Sequence, residues 1–326
     1  MANRHRKSLP TIIIVSPYLA SANNGNWRTA RRWADLLQDN YDVIVQSDWT
    51  GEPCAFLIAL HARRSHAAIK RFRESSASLP LVLVLTGTDI YRDLPSSAEA
   101  RNSLALATAL VVLQEDAVQY VPVEHRRKTH VIYQSARMLK PATKPRNKLD
   151  CVAVGHLRQE KDPLTLLRAL DCIAAGKSIH VLHIGAALDD ELANAARTKA
   201  GRDVRYHWAE ALPHGLTRAA IKRAHVLIHP SIMEGGANVI VEALTSGTPV
   251  IASEMSGNVG MLGKDYPGYF PVGDAAALAG LLEKCLDDPN FYSRLNNAAK
   301  ARAPLFAPAA EKKSLNKLVS ELLKNQ

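Results

Sequence analysis

Runs of four to six consecutive apolar residues recur along the chain, separated by stretches with helical spacing. Residues 11–16 (TIIIVS), 41–46, 56–61, 81–85, 110–113 and 129–132 read as strands, with helices over 27–39, 65–74, 98–109 and 116–121. A strand with one solvated face alternates apolar and polar residues. Continuous apolar runs instead mark strands covered on both faces, as in a parallel sheet flanked by helices. Residues 138–150 break the pattern with Pro141, Pro145 and a cluster of Lys and Arg, and show no apolar period. The alternation then restarts, with strands at 151–154, 179–184, 204–207, 226–229, 250–252 and 269–271 and helices over 237–244, 275–286, 290–301 and 309–324. This predicts an α/β protein of two doubly wound, Rossmann-like domains, 1–140 and 151–305, joined by a linker at 141–150. An amphipathic helix within 306–326 is a candidate to cross back to the N-terminal domain. Ligands of such folds bind beyond the carboxyl ends of the strands, so both domains are expected to face a central cleft.

The densest chemistry lies in 226–252, VLIHPSIMEGGANVIVEALTSGTPVIA. It reads as strand, glycine turn, helix, turn, strand. Glu234 and Glu242 stand eight residues apart around the start of the helix. On an ideal helix that spacing gives an offset of about 80° and a rise of roughly 12 Å. Two acids on neighbouring faces, with the amides of Gly235, Gly236, Ala237 and Asn238 between them, suit a ligand with hydroxyls at its ends and a phosphate in the middle. For Glu242 the structural alternative is a cap or a salt bridge, since its neighbours are apolar.

A second motif follows the first strand of the same half. In Gly155–Lys161 (GHLRQEK), His156, Arg158 and Lys161 either converge on a phosphate or form a solvated turn before a helix capped by Asp162 with Pro163 at its first position. In the N-terminal half, Asn24–Asn26, His61–Ser65 and Thr86–Asp89 sit at the carboxyl ends of predicted strands. Arg28, Arg63, Arg64 and Arg92 lie near them, and many of these arginines are expected on helix surfaces. His61 is either a structural histidine or a cleft residue.

Charge adds a direction. The net charge is +10, and residues 1–150 hold 21 Lys and Arg against 13 Asp and Glu, while the rest of the chain is nearly balanced. A basic N-terminal half can hold nucleic acid, but no helix-turn-helix, zinc or RNP pattern is present, and no aromatic residues are interleaved with the basic ones. Small anions are the better match. Cys54, Cys151, Cys172 and Cys285 are scattered with no C-x-x-C, and three of them sit in apolar strand-like or helical settings, which points to buried thiols in a reducing compartment. The apolar run after the basic N-terminus is too short for a signal segment, and 104–113 is about half of a membrane helix. A cytoplasmic protein with no integral membrane contact is expected. No histidine or cysteine spacing suggests a metal site, and no D-x-D pair is present.

The Glu234/Glu242 pair, the following SGTPVIAS (246–253) and the Gly155–Lys161 loop resemble the glycosyltransferases of family 4, which have the GT-B fold. The resemblance implies that Glu234 contacts the donor sugar and Glu242 the ribose, and that an Arg/Lys pair in the loop holds the diphosphate. The usual arginine position is His156 here, with Arg158 two residues on and Lys161 retained. Longer segments, GEPCAFLIALHARRS (51–65), LTGTDIYRDL (85–94), VIYQSA (131–136), GHLRQEKDP (155–163), MEGGANV (233–239) and DYPGYFPVGD (265–274), look like the selenosugar synthases of selenoneine biosynthesis. That narrower resemblance implies UDP-GlcNAc or UDP-glucose as donor and selenophosphate as acceptor. It also implies a functional link to a selenophosphate synthetase and a downstream selenoneine synthase.

The expected division of labour follows. Glu234, Lys161 and Arg158 are the catalytic candidates; Glu242, His156, Gly155, Gly235, Gly236, Ala237 and Asn238 are donor-binding candidates. Asn26, Arg28, His61, Arg63, Arg64, Thr86, Gly87 and Thr88 are acceptor-binding candidates. The UDP-sugar is a substrate, so no cofactor and no metal are expected. The alternatives are a conventional transferase with a hydroxyl or thiol acceptor, and a non-catalytic binder of nucleotide-sugar or nucleic acid.

Overall fold

The computed structural model describes residues 9–18, 25–145 and 147–324. The basic tail and most of the predicted loop at 20–26, Asn24 included, lie outside the described residues. The chain divides into two compact units, one of residues up to Tyr133 together with Glu311 onward, the other Gln134–Ala310.

In the first unit, β1 (Thr11–Val15), β2 (Asp42–Gln46), β3 (Phe56–Leu60), β4 (Leu81–Leu85), β5 (Ala109–Val112) and β6 (Thr129–Val131) form one parallel sheet in the order β2-β1-β3-β4-β5-β6. Alternate residues feed opposite cores, because successive side chains of a strand point to opposite faces. Ile13, Val15, Leu57, Ala59, Leu83 and Val112 pack with Ile69 and Phe72 of helix His66–Ser75. Ile12, Ile14, Phe56, Ile58, Val82 and Val111 pack with Trp33 and Leu37 of helix Gly25–Leu37. Helix Pro308–Lys324 adds Leu315, Leu318 and Val319 to this second core. Its Glu311 is fully buried, accepting from Arg32 Nε at 2.8 and 3.1 Å and from Trp33 Nε1 at 2.9 Å.

The second unit repeats the design with β7 (Leu149–Val154), β8 (Ile179–Ile184), β9 (Tyr206–Trp208), β10 (Val226–His229), β11 (Val250–Ser253) and β12 (Tyr269–Phe270), ordered β12-β11-β10-β7-β8-β9, all parallel. Both sheets are the doubly wound type read from the apolar runs. In each, the strand order reverses at one point, between β1 and β3 and between β7 and β10, where such sheets open a crevice at their carboxyl ends.

Local departures have local causes. The strand predicted at 204–207 begins later, at Tyr206, because Asp203 accepts the Arg205 amide at 3.1 Å and folds the chain into a turn, leaving Val204 fully exposed. The helix predicted to 109 stops at Leu106, where Ala107 turns extended and leads into β5. Residues 116–121 form a 3-10 turn, Glu115–Tyr120, rather than an α-helix. Residues 134–148 carry no helix or strand in their described part and run along the second unit. Leu139 N–H bonds Thr245 O at 2.8 Å, and His225 spans Pro145 O and the Asp150 amide. Of the cysteines, Cys151 and Cys285 are buried, Cys54 is half-buried and Cys172 is exposed on its helix. No helix among the described residues is long and apolar enough to cross a membrane.

Candidate active site

The reversal point of the second sheet brings two loops together. One follows β7, Gly155–Lys161; the other follows β10, from Pro230 to the helix Asn238–Leu244. The first is stitched to the loop after β8: Gly155 N–H bonds Ile184 O at 2.9 Å, and Leu157 N–H bonds Ala186 O at 2.9 Å. A side chain at Gly185 would place Cβ 1.9 Å from Gly155 O, so only glycine lets these loops meet. The loop ends at Asp162, in the left-handed region at φ 43°, whose carboxylate caps helix Pro163–Cys172 at Thr165. The cap predicted from Asp162-Pro163 is thus present, and it fixes where Lys161 leaves the turn.

Lys161 lies over Gly155, close enough that a Cβ there would touch its Cδ at 3.3 Å, and its Nζ pairs with Glu234 Oε1. Burial pushes the Glu234 carboxyl up, but the Lys161 ammonium beside it, helped by His229 and Ser231, more than offsets this and holds it below the usual range. His229 Nε2 lies 3.6 Å from Glu234 Oε1, and burial pushes that imidazole down to about 4. Gly155, Lys161, His183, His229 and Ser231 line a cavity of about 20 Å³ on the Lys161 side of the pair. His183 is also pushed down to about 4 by burial and is held between Tyr206 OH at 2.8 Å and Gly155 O at 3.3 Å.

The second loop is supported from behind. A Cβ at Gly257, in helix Ser256–Leu262, would lie 2.0 Å from Glu234 O, so this glycine admits the Glu234 backbone. Ile232 N–H bonds Glu160 O at 3.0 Å, tying the two loops to each other. The Ala237 amide points at Met261 Sδ, 3.1 Å away, and so is turned away from the loop's open side; Ala237 drops out of the predicted run of anion-facing amides.

The structure joins Gly155, Lys161 and Glu234 and gives the other predicted donor residues separate surroundings. His156 Nδ1 accepts the Ala186 amide at 2.9 Å, which orients its exposed ring. Arg158 is exposed, and its carbonyl accepts the Lys161 amide at 3.0 Å. Gly235 is buried and Gly236 and Asn238 half-buried around the helix start. Glu242 is buried on that helix, and its Oε1 lies 2.7 Å from His214 Nε2, a partner the sequence does not single out among its 12 histidines.

The first unit carries its own cluster beyond β3 and β4. His61 has φ 74° and is buried; its Nε2 lies 3.3 Å from Thr88 Oγ1. Burial pushes it down from the ordinary histidine value, against the pull of Asp89 and Asp93. Arg63 Nε pairs with Asp93 at 2.9 Å, and the Arg64 guanidinium lies 5.0 Å from the centre of the Tyr18 ring. The Thr86 and Gly87 amides do not face outward for an acceptor, because the buried Asp89 carboxylate accepts both, at 2.9 and 2.7 Å, together with the amides of Ala62 and Ile90. Thr88 meets His61 through its hydroxyl. Asn26 and Arg28 lie in the first turn of helix Gly25–Leu37. Among the described residues no cluster of three or more His, Cys, Asp or Glu is arranged to hold a metal.

Residues 135–302, just over half of the chain, match the glycosyl transferases group 1. The chain belongs to this family. The matched segment contains both loops of the Lys161–Glu234 pair. Among curated proteins, the chain is 25% identical over 284 residues to the 2-deoxystreptamine glucosyltransferase of Streptomyces kanamyceticus, covering 83% of this chain and 73% of that protein. It is 27% identical over 325 residues to the D-inositol 3-phosphate glycosyltransferase of Streptomyces griseus, covering 90% of this chain but 63% of that protein. Two solved structures share the fold. The Anabaena HepE protein, solved with UDP-glucose, superposes with a TM-score of 0.73 at 17% identity, covering 96% of this chain and all of that one. The sucrose-phosphate synthase of Thermosynechococcus elongatus gives 0.77 at 17%, covering 98% of this chain and all of that one. The two parallel-sheet, Rossmann-like units are therefore those of a GT-B glycosyltransferase.

Proposed function

We propose that this glycosyltransferase uses a UDP-sugar donor, UDP-GlcNAc or UDP-glucose, and transfers the sugar to selenophosphate. The observation that carries the donor half is the Lys161–Glu234 pair at the reversal point of the second sheet, in a segment of the family whose structural neighbours include a UDP-glucose complex. Lys161 is placed to turn from Glu234 to a diphosphate, with Arg158, His156 and the amides of Gly235, Gly236 and Asn238 around the same ligand. Glu234, released from Lys161, then accepts from sugar hydroxyls, and Glu242 from the ribose.

The acceptor half is supported by the six selenosugar-synthase-like segments and by the basic balance of residues 1–150. The selenium of selenophosphate attacks the anomeric carbon while the bond from that carbon to the UDP oxygen breaks, its electron pair leaving with UDP. Lys161 stabilises the charge that grows on the leaving diphosphate, where a donor aimed at developing charge contributes most. Hydrolysis of the selenium–phosphorus bond then releases phosphate and leaves a 1-seleno-sugar. An anionic, polarisable selenium needs little help from a general base. His61, Arg63, Arg64 and Thr88 are the acceptor-side residues of this proposal, with Asn26 and Arg28 from the neighbouring helix.

A second reading has its own support. The curated relatives are named for 2-deoxystreptamine and D-inositol 3-phosphate, which favours a hydroxyl acceptor. One incubation series separates the two. Purified protein is given UDP-GlcNAc or UDP-glucose, with and without selenophosphate, and products are read by mass spectrometry. A selenium-containing hexose formed only with selenophosphate supports the proposal. UDP release with no selenium adduct, and transfer to an added polyol instead, overturns it in favour of the hydroxyl acceptor.

A further inference from the structure

The helix His214–Arg223 follows Pro213, whose extended conformation delivers His214 as the first helical residue. That helix packs beside Asn238–Leu244, and His214 Nε2 meets Glu242 Oε1 at 2.7 Å. The two side chains differ sharply in exposure: 58% for the imidazole and 11% for the carboxylate. The histidine therefore covers the carboxylate from outside, and a ligand that reaches Glu242 must share it with His214. One turn further along the same helix, Arg218 lies close enough to feel the Glu242 charge. Its guanidinium is anchored on Arg137 O at 2.8 Å and Thr245 Oγ1 at 2.7 Å.

A carboxylate offers about four acceptor positions on two oxygens. A free one rotates among them; one held by a strong hydrogen bond through Oε1 has its plane set. A vicinal diol needs a carboxylate in one orientation, since both hydroxyls must find oxygens at once. We propose that His214 is a positioning residue of the nucleotide subsite, fixing the Glu242 carboxylate through Oε1 so that it meets the ribose hydroxyls of a nucleoside diphosphate. The histidine thereby contributes to preference for a ribonucleotide over a deoxyribonucleotide. This rests on the donor-site reading above, in which Glu242 faces the ribose.

The test is calorimetric titration of the full chain with UDP and with 2′-deoxy-UDP and 3′-deoxy-UDP, accompanied by thermal melts. His214→Ala is expected to weaken UDP roughly tenfold, in the range for losing one charge-assisted hydrogen bond. The preference for UDP over the deoxy analogues is expected to shrink by a similar factor. His214→Gln, whose amide donates from nearly the same place as Nε2, is expected to stay within about threefold of the parent. In turnover assays the loss falls on KM for the donor more than on kcat. Arg223→Ala, exposed at the far end of the same helix, serves as the control with parent-like affinity.

Equal weakening of UDP and both deoxy analogues in His214→Ala assigns the histidine a merely structural role and overturns the proposal. So does parent-like UDP affinity in that variant. If His214→Ala melts early, the same ratio is read on His214→Leu. The failure of the donor-site reading is separate: Glu242→Gln would then bind UDP as tightly as the parent.

Discussion

Replacing Gly257 by alanine adds a methyl group to a helix that touches no predicted ligand, yet the consequence falls on the centre of the site. The new Cβ would stand 2.0 Å from Glu234 O, 2.9 Å from its carbonyl carbon and 3.1 Å from its Cβ. Ordinary contacts begin near 3.4 Å, so the Glu234 backbone must retreat by more than about 1 Å. The obstacle is backbone and cannot rotate aside. Overpacking of this kind costs about 1–3 kcal/mol, seen as a lower midpoint in urea. Misplacing a reacting group by about 1 Å costs about a hundredfold in rate, because Lys161 and Glu234 then no longer present their pair to the same ligand atoms. Expected together are a modest stability loss and a kcat/KM for the UDP-sugar lowered by roughly two orders of magnitude. Steady-state kinetics and urea unfolding on one preparation measure both. A Gly257→Ala enzyme with parent-like kcat/KM refutes the view that the Glu234 loop is held in place from behind by this close approach.

Three further predictions follow from other parts of the structure. Lys161→Ala is expected to lower kcat by about 100- to 1,000-fold, the range for removing one donor to developing charge, with Glu242→Gln acting on donor KM instead; unchanged turnover in Lys161→Ala removes lysine from the leaving-group role. His183 and His229 are both held near 4 by burial, below the unfolded value of about 6.5. Their contribution is therefore fully present above about pH 6.5 and lost as pH falls toward 4, amounting to about 2 kcal/mol each by pH 5. Urea unfolding across that window should show the loss and His183→Gln should flatten it; equal stability at pH 7 and 5 contradicts it. Glu311→Ala strands Arg32 and Trp33 without their buried partner and is expected to cost about 3–5 kcal/mol, measured by denaturant unfolding, with Glu311→Gln losing less because its Oε1 still accepts from Trp33.

Much of the fold is legible because its sheets are covered on both faces. Runs such as TIIIV and LVLVL then need no alternation to be recognised, and each strand's end locates a loop. Glu234, Glu242, Gly155 and Lys161 were legible as motifs for the same reason: they follow strand ends at fixed offsets. What stayed hidden depends on contacts between distant segments. Gly185 and Gly257 look like any other of the 17 glycines until the carbonyls they admit are seen. Thr86-Gly87-Thr88 has the composition of an anion loop. Only the position of Asp89, buried behind it and three residues from Thr86, turns its amides inward. His214 lies 28 residues from Glu242, and no local spacing announces their bond.

The Glu311 clamp also constrains the order in which the molecule can be made. The first sheet is finished at β6, but its second core lacks Leu315, Leu318 and Val319 until the helix Pro308–Lys324 exists. During synthesis, Trp33 and Arg32 therefore wait for a partner about 280 residues downstream. Throughout that interval the intervening unit, Gln134–Ala310, can complete a contiguous core of its own. Of these two units the N-terminal one is thus made earlier yet closes later, and its apolar slot stays uncovered until Leu315, Leu318 and Val319 arrive.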